Sequence, residues 1–155
     1  MSLPEIGAPA PSFSLPATGD ATISLDGLVG RKVVLFLYPR DDTKGCTAEA
    51  IGFTEKLADF EAAGAVVLGL SADSIASHEK FVAKHDLGMA LLSDEDAAVA
   101  SAYGAWVEKS MYGRKFLGIE RSTFLIDEIG ILRQAWRKVR VPGHVDEVLD
   151  AVRTL

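Results

Sequence analysis

Apolar runs alternate with amphipathic stretches along most of the chain. Residues 33–38 and 65–70 are continuous apolar runs rich in β-branched and aromatic side chains, a pattern typical of strands buried on both faces of a sheet. Between them, apolar residues recur at steps of three and four positions, which predicts a single helix that ends near Gly64. The apolar positions of this helix are Cys46, Ala50, Phe53, Leu57 and Phe60.

The alternation continues to the end of the chain. The predicted elements are a helix over residues 74–84, a short strand over 89–92, a short helix over 95–102, a hairpin of strands 122–126 and 131–136, and a terminal helix lined by Val145, Val148, Leu149 and Val152. The opening, residues 7–16, holds three prolines and is predicted to be extended coil. This order predicts an α/β protein with a thioredoxin-like fold, in which helices cover both faces of a mixed central sheet.

Composition and charge narrow the class of protein. A chain of 155 residues is the size of one domain, so we expect a single domain over residues 1–155. The net charge of −6 argues against a nucleic-acid or anionic-membrane surface, and no apolar stretch is long enough to cross a bilayer. The N-terminal residues lack a basic segment followed by an apolar one, so no secretory signal is expected. The single cysteine rules out an internal disulfide and favours a cytoplasmic location.

That cysteine, Cys46, follows the predicted strand and stands at the start of the predicted helix. The field of a helix N-terminus stabilises a thiolate over a thiol, so the position favours chemistry at sulfur. The alternative is a small buried apolar residue, which is a common role for a free cysteine. Lowering a thiol pKa by two units takes about 2.7 kcal/mol, whereas a helix terminus supplies only about 0.5–2 kcal/mol. A second source of positive charge near Cys46 is therefore expected.

Three neighbours of Cys46 bear on its reactivity, and two of them, Thr43 and Pro39, have two interpretations each. Thr43 lies three residues earlier, where its hydroxyl can reach the thiolate and a bound peroxide, or can cap the helix. Pro39 fixes the entry to the loop, or simply ends the strand. Gly45 allows a tight turn that exposes backbone amides at the start of the helix. Together these features favour a reactive thiol that a small oxidant can reach.

The spacing of Pro39, Thr43 and Cys46 resembles the peroxiredoxin signature: proline, three residues, threonine, two residues, cysteine. The longer string Tyr-Pro-Arg-Asp-Asp-Thr-Lys-Gly-Cys-Thr-Ala-Glu-Ala resembles the PrxQ, or bacterioferritin comigratory protein, subfamily of the AhpC-TSA family. Further segments are similar to that subfamily in the same order, so the resemblance covers nearly the whole chain. These segments are residues 7–13, 71–74, 92–94, 103–106 and 118–127.

The resemblance implies a thiol-dependent peroxidase that reduces hydrogen peroxide and organic hydroperoxides in antioxidant defence. It implies that Cys46 is the peroxidatic nucleophile and becomes a sulfenic acid, and that Thr43 hydrogen-bonds the thiolate and the peroxide. It also implies that Pro39 shields the pocket from water, and that Arg121 supplies the missing positive charge. Sequence alone does not bring Arg121 near Cys46, and Arg40 is a nearer rival along the chain.

The chain departs from much of this subfamily because it has no second thiol. The positions where relatives carry a resolving cysteine are occupied here by Ile51 and Val82. The resemblance therefore implies a one-cysteine enzyme that depends on an external thiol, namely thioredoxin, glutaredoxin, glutathione or Cys46 of a second copy. An alternative function is a peroxide sensor that relays oxidation to a partner protein. The subfamily implies a monomer or weak dimer.

Other candidate sites are weaker. A thioredoxin-type dithiol enzyme is excluded because Thr43 stands where the first cysteine of Cys-x-x-Cys belongs. His78 and His85 lack further metal ligands at a suitable spacing, so we expect no metal, and no phosphate-binding loop suggests a nucleotide or other cofactor. The acidic run at residues 94–96 is interpreted as a solvated loop entering a helix. Four side chains are assigned to core and loop packing, with a surface for peroxide substrates or a partner chain as the alternative: Tyr103, Trp106, Met111 and Tyr112.

Overall fold

A computed structural model describes residues 3–155, and a mixed β-sheet with flanking helices forms its centre. The strands are β1 (Ser14–Ala17), β2 (Ala21–Ser24), β3 (Lys32–Leu37), β4 (Ala65–Ser71), β5 (Ala90–Ser93), β6 (Trp106–Met111), β7 (Arg114–Ile119), β8 (Ser122–Ile126) and β9 (Leu132–Arg137). The helices are α1 (Lys44–Glu55), α2 (Leu57–Ala62), α3 (Ile75–His85), α4 (Ala98–Ala102) and α5 (His144–Thr154).

Seven strands form the main sheet in the order β2-β1-β5-β4-β3-β8-β9. The central strands β3, β4 and β5 run parallel, and the remaining pairs are antiparallel. Strands β6 and β7 form a separate antiparallel ribbon. The sheet confirms the predicted mixed α/β architecture. Among residues 3–155, none of the helices combines the length and the apolar character that crossing a bilayer requires.

Side chains of β3 and of the residue that follows it alternate between two apolar cores, one on each face of the sheet. One core receives Val33, Leu35 and Leu37, and the other receives Val34, Phe36 and Tyr38. Helices α1, α2, α3 and α5 pack on the second core, whereas α4 packs on the first. Helices therefore cover both faces, as predicted, although four of these five lie on the face that carries Cys46.

Two of the predicted elements have different bounds in the structure. The coil prediction for residues 7–16 is wrong from Ser14 onward, because this segment pairs with β2 along its whole length and meets β5 only at Ala17. The prolines exclude a helix there but permit such a strand. The predicted single helix is broken at Lys56 into α1 and α2. Phe60 still packs on the same core, which is why the apolar pattern runs across the break.

The acidic run and the β6–β7 ribbon also differ from expectation. Asp94 is buried, and its carboxylate accepts hydrogen bonds from the amides of Val99 and Ala100, so its interpretation as solvated is wrong. Residues 106–119 form a ribbon whose largely exposed side chains give no core pattern. Its turn follows Met111, which is 57% exposed, and includes Tyr112, which is 97% exposed, so core packing is wrong for both.

Candidate active site

Cys46 is the third residue of α1, in the first turn of the helix. The preceding loop ends at Thr43, whose backbone is extended (φ −93°, ψ 158°) and whose carbonyl accepts the amide of Thr47 at 2.8 Å. The amides of residues 44–46 therefore precede the first hydrogen-bonded turn and lie at the positive end of the helix. This geometry is the one predicted for a reactive thiol.

Arg121 lies in the short connection between β7 and β8, and its side chain extends to the sulfur of Cys46. Its Nη2 donates to Sγ of Cys46 at 3.2 Å, although the two residues are 75 positions apart. Gly45 permits this approach, because a Cβ at that position would lie 3.1 Å from Nη2 of Arg121. The absence of a side chain at Gly45 thus lets the guanidinium of Arg121 approach the start of α1 closely. The turn before α1 instead places Asp42 in the left-handed region, at φ 58°.

Glu49 completes this group, one turn further along α1. Its side chain is fully buried, and its Oε1 accepts from Nη1 of Arg121 at 2.8 Å. Its second oxygen, Oε2, is buried and has no hydrogen-bond partner among the described residues. A single guanidinium thus lies between two acidic groups, the carboxyl of Glu49 and the thiol of Cys46. We call these three residues the Cys46 cluster.

Burial and charge act against each other in the Cys46 cluster. Burial raises the pKa of Glu49 to about 7, although the Arg121 guanidinium favours the ionised form. Burial alone would lower the pKa of Arg121, but Glu49 and Cys46 outweigh it and the pKa rises. On β6, burial and the charge of Arg121 both lower the pKa of Lys109. Lys109 is therefore a second cation within electrostatic range of Arg121.

The sulfur is less open than the sequence suggested. Cys46 keeps only 1% of its surface exposed and packs on the apolar core of its face. The expectation of a thiol that an oxidant reaches directly is therefore not met in this conformation. Its surroundings are still polar on one side, because the Arg121 side chain that contacts the sulfur is 16% exposed. The thiol lies at the edge of the core, beside a cation that reaches the surface.

The other predicted site residues lie on the segment between the end of β3 and the start of α1. Thr43 is exposed, and its hydroxyl donates to the carbonyl of Arg40 at 3.0 Å, making no side-chain cap on α1. Pro39 is half-buried at the end of β3. Arg40, the rival cation, has an exposed side chain on the same loop. The structure brings together Cys46 and Arg121, while the Thr43 hydroxyl faces away to the loop backbone.

A second buried polar group holds the loop between β3 and α1 against α3. Asp41 Oδ1 accepts from the Tyr38 hydroxyl at 2.7 Å, and Oδ2 accepts from the Ser77 hydroxyl at 2.8 Å. Nδ1 of His78 lies 2.7 Å from Oδ2 of Asp41, and its Nε2 lies 2.8 Å from the Leu92 carbonyl. We call Tyr38, Asp41, Ser77 and His78 the Asp41 cluster.

The three histidines take structural positions. Asp41, Asp73 and His78 place one ligand atom each within 4.8 Å of one another, but all three already make hydrogen bonds within the protein. His85 lies 2.8 Å from Asp42, an exposed contact that also ties the loop to α3. His144, the first residue of α5, lies 2.8 Å from the Thr123 hydroxyl.

Sequence reasoning missed Glu49 and Asp41, and it considered His78 only as a metal ligand. A signal for Glu49 was present, because it lies three residues after Cys46 and next to Ala50, on the buried face of the helix. A charged residue in such an apolar stripe indicates a buried partner of opposite charge. His78 also falls on the apolar side of α3, near Phe81. No spacing rule connected His78 with Asp41, which precedes it by 37 positions.

A thiol held by a guanidinium at a helix start, on a thioredoxin-like sheet, defines a thiol-based redox enzyme. The model of the AhpC/TSA family matches residues 6–135. A putative peroxiredoxin bcp of Coxiella burnetii is 50% identical over 145 residues, which cover 94% of this chain and 96% of that protein. The chain therefore belongs to the AhpC/TSA family, as a peroxiredoxin of the Bcp/PrxQ type, and the predicted family, fold and thiol peroxidase activity are confirmed.

Solved structures show the same similarity. PrxQ of Xylella fastidiosa, in a cysteine-to-serine mutant, has a TM-score of 0.93 at 38% identity, covering 99% of this chain and 98% of that one. The bacterioferritin comigratory protein of Xanthomonas campestris has a TM-score of 0.88 at 44% identity, covering 92% and 90%. Structures of that protein with a trapped intermediate and ligand concern its alkyl peroxide reduction activity.

Proposed function

We propose that this peroxidase reduces hydrogen peroxide and organic hydroperoxides with Cys46 as its nucleophile. The contact of Arg121 with Sγ at 3.2 Å carries this proposal, because it supplies the second positive charge that a stable thiolate needs. The thiolate attacks one peroxide oxygen, an S–O bond forms and the O–O bond breaks. The bonding electrons leave with the alkoxide, which takes up a proton to become alcohol or water. The sulfur is oxidised to sulfenic acid and the peroxide is reduced.

Charge moves from the sulfur to the leaving oxygen during this step. Arg121 already contacts the sulfur from which this charge moves, and the amides at the start of α1 lie at the same helix end, so both are placed to stabilise the charge as it passes to the leaving oxygen. Thr43 hydrogen-bonds the peroxide after its hydroxyl rotates away from the Arg40 carbonyl. Pro39 limits the access of water from the end of β3.

Attack by a thiol reductant requires the first turn of α1 to loosen, because the sulfur is 1% exposed and a second sulfur cannot reach it in the folded helix. This movement brings the sulfenic acid to the reductant. Hydrogen exchange of residues 44–47 tests this point, since loosening on oxidation predicts faster exchange there than in the reduced protein. Protection that stays equal in the two states would contradict it.

The reductant is an external thiol, because Cys46 is the one cysteine of the chain and Ile51 and Val82 are half-buried in the core of the same face. An incoming thiol attacks the sulfenic acid, releases water and forms a mixed disulfide, which a second thiol reduces. Thioredoxin, glutaredoxin and glutathione all supply this chemistry. We propose a cytoplasmic enzyme that acts as a monomer or weak dimer.

The test is steady-state consumption of hydrogen peroxide and of an alkyl hydroperoxide with each thiol donor, while intact mass follows Cys46. We expect sustained turnover with at least one donor, total loss in Cys46→Ser, and slowing by orders of magnitude in Thr43→Val. Oxidation limited to one equivalent with every donor would favour the sensor function instead. Full turnover in Cys46→Ser would show that Cys46 is not the nucleophile.

A further inference from the structure

We propose that Glu49 holds one proton while Cys46 is reduced and loses it when Cys46 is oxidised, so that the charge of this positioning residue follows the state of the sulfur. This inference rests on the proposed function, because it assumes that Cys46 reacts as a thiolate. It adds a proton balance to the reaction and assigns a role to a residue that sequence reasoning missed.

The first argument is the count of charges around Arg121. Its two terminal nitrogens bond two different acidic groups, Oε1 of Glu49 at 2.8 Å and Sγ of Cys46 at 3.2 Å. If both groups were ionised, one guanidinium would face two anions in a buried place, where an unpaired charge is costly. One proton shared by the two acids leaves the site neutral.

The second argument places that proton on Glu49. Sγ of Cys46 lies in the first turn of α1, where the helix field favours an anion, whereas Glu49 lies a turn deeper. Oε2 of Glu49 is buried without a hydrogen-bond partner among residues 3–155, and an ionised carboxylate rarely leaves an oxygen in that condition. The neutral carboxyl also suits the full burial of this side chain.

The charged groups on the surrounding elements do not supply a second counter-charge to Glu49. Lys109 on β6 interacts with Arg121 and Cys46, and its own acidic neighbour is Glu120. From α5, His144 interacts with Arg121 and with Glu147. Burial, partly opposed by Arg121, sets the pKa of Glu49 at about 7, in agreement with a proton held near neutral pH.

Oxidation changes the balance. Before the reaction the site contains a thiolate, a guanidinium and a neutral carboxyl, and the charges sum to zero. Afterwards the sulfenic acid is neutral, so Arg121 keeps one possible anionic partner, and Glu49 ionises to pair with it. In net terms, thiolate, carboxylic acid and ROOH give sulfenic acid, carboxylate and ROH. The O–O bond breaks, the S–O bond forms, and the alkoxide gains the proton that Glu49 loses, directly or through water.

Proton counting tests the balance. The reduced protein is mixed at pH 6 with one equivalent of hydrogen peroxide in weak buffer, and a pH indicator records protons taken from solution per Cys46 oxidised. We expect no net uptake in the wild type and one proton per sulfur in Glu49→Gln, because the amide has no proton to give. Glu55→Gln, an exposed change at the other end of α1, is the matched control and should behave as the wild type.

Infrared difference spectra of the wild type, reduced minus oxidised, give a second readout that does not depend on folding of the variant. We expect the band of a buried protonated carboxyl to disappear on oxidation. Equal proton uptake in wild type and Glu49→Gln, or no loss of that band, overturns the inference. Absence of any oxidation of Cys46 in the wild type would instead overturn the proposed function.

Discussion

The Asp41 and Cys46 clusters each bury one acidic side chain beside a nitrogen-containing side chain, His78 in the first and Arg121 in the second, but they differ in how many hydrogen bonds the carboxyl group receives. Asp41 accepts from Tyr38 on one oxygen and from Ser77 and His78 on the other. Glu49 accepts on one oxygen only, from Arg121, and the other has no partner among the described residues. The first cluster is complete, whereas the second lacks a donor.

This difference decides the charge of each acid. Burial would raise the pKa of both, but at Asp41 the hydrogen bonds from His78 and Tyr38 outweigh burial and the pKa falls below its usual range. At Glu49 burial outweighs Arg121 and raises the pKa to about 7. Asp41 therefore stays ionised near neutral pH, and its hydrogen bonds hold the loop before α1 in place. The Cys46 cluster keeps a carboxyl that can change its charge near neutral pH.

The largest expected effect comes from removing the cation of the Cys46 cluster. Arg121→Ala should lower the second-order rate constant of Cys46 oxidation on the order of 10³-fold, about 4 kcal/mol, because both thiolate and leaving oxygen lose their charged donor. Stopped-flow mixing with hydrogen peroxide measures this constant. Arg40→Ala, an exposed change in the loop beside the site, is the control and should stay near wild type. A normal rate in Arg121→Ala would show that its contact with sulfur is not used.

The next effect concerns stability, at the complete cluster. Asp41→Asn should lower the free energy of unfolding by about 3 kcal/mol at pH 7, because it leaves His78 donating to a carbonyl and facing an amide where a buried carboxylate stood. Urea unfolding measures the change. Asp42→Asn tests the neighbouring exposed contact with Lys84 and should cost clearly less. An equal loss of stability in the two variants would mean that burial of the Asp41 cluster does not strengthen its contribution to the free energy of unfolding.

Sequence patterns predicted the parts of the site that are local. Cys46 at the start of α1, after the strand that ends before Pro39, follows from periodicity and loop residues. The position of Arg121 depends on how β8 pairs with β3, so only a resemblance to relatives pointed to it. Glu49 was not predicted as a site residue because the spacing of apolar residues identifies the buried face of a helix but does not say why a charged residue lies on that face. The β6–β7 ribbon was missed because its side chains are mostly exposed, and no buried face imposes a period.

The smallest effect sharpens the comparison through pH. Glu49 has a folded pKa near 7, above the ordinary value of 4.5, so the folded protein binds this proton more tightly than the unfolded chain. The stability from this group is complete below about pH 4.5 and is lost as pH rises through about 7. As pH rises through this window, the free energy of unfolding of the wild type should fall by roughly 2 kcal/mol more than that of Glu49→Gln.

Chemical unfolding of the reduced wild type and of reduced Glu49→Gln at several pH values between 5 and 8 measures this slope, with Cys46 kept in both proteins because its thiolate is what leaves the proton on Glu49. Asp41 contributes in the opposite sense, since its depressed pKa gives stability that is lost only as pH falls below that window. The difference in stability between the wild type and Glu49→Gln therefore reports the titration of the Glu49 carboxyl alone. If the two curves run parallel from pH 5 to 8, Glu49 does not take up a proton in the folded protein, and the two clusters are electrostatically alike.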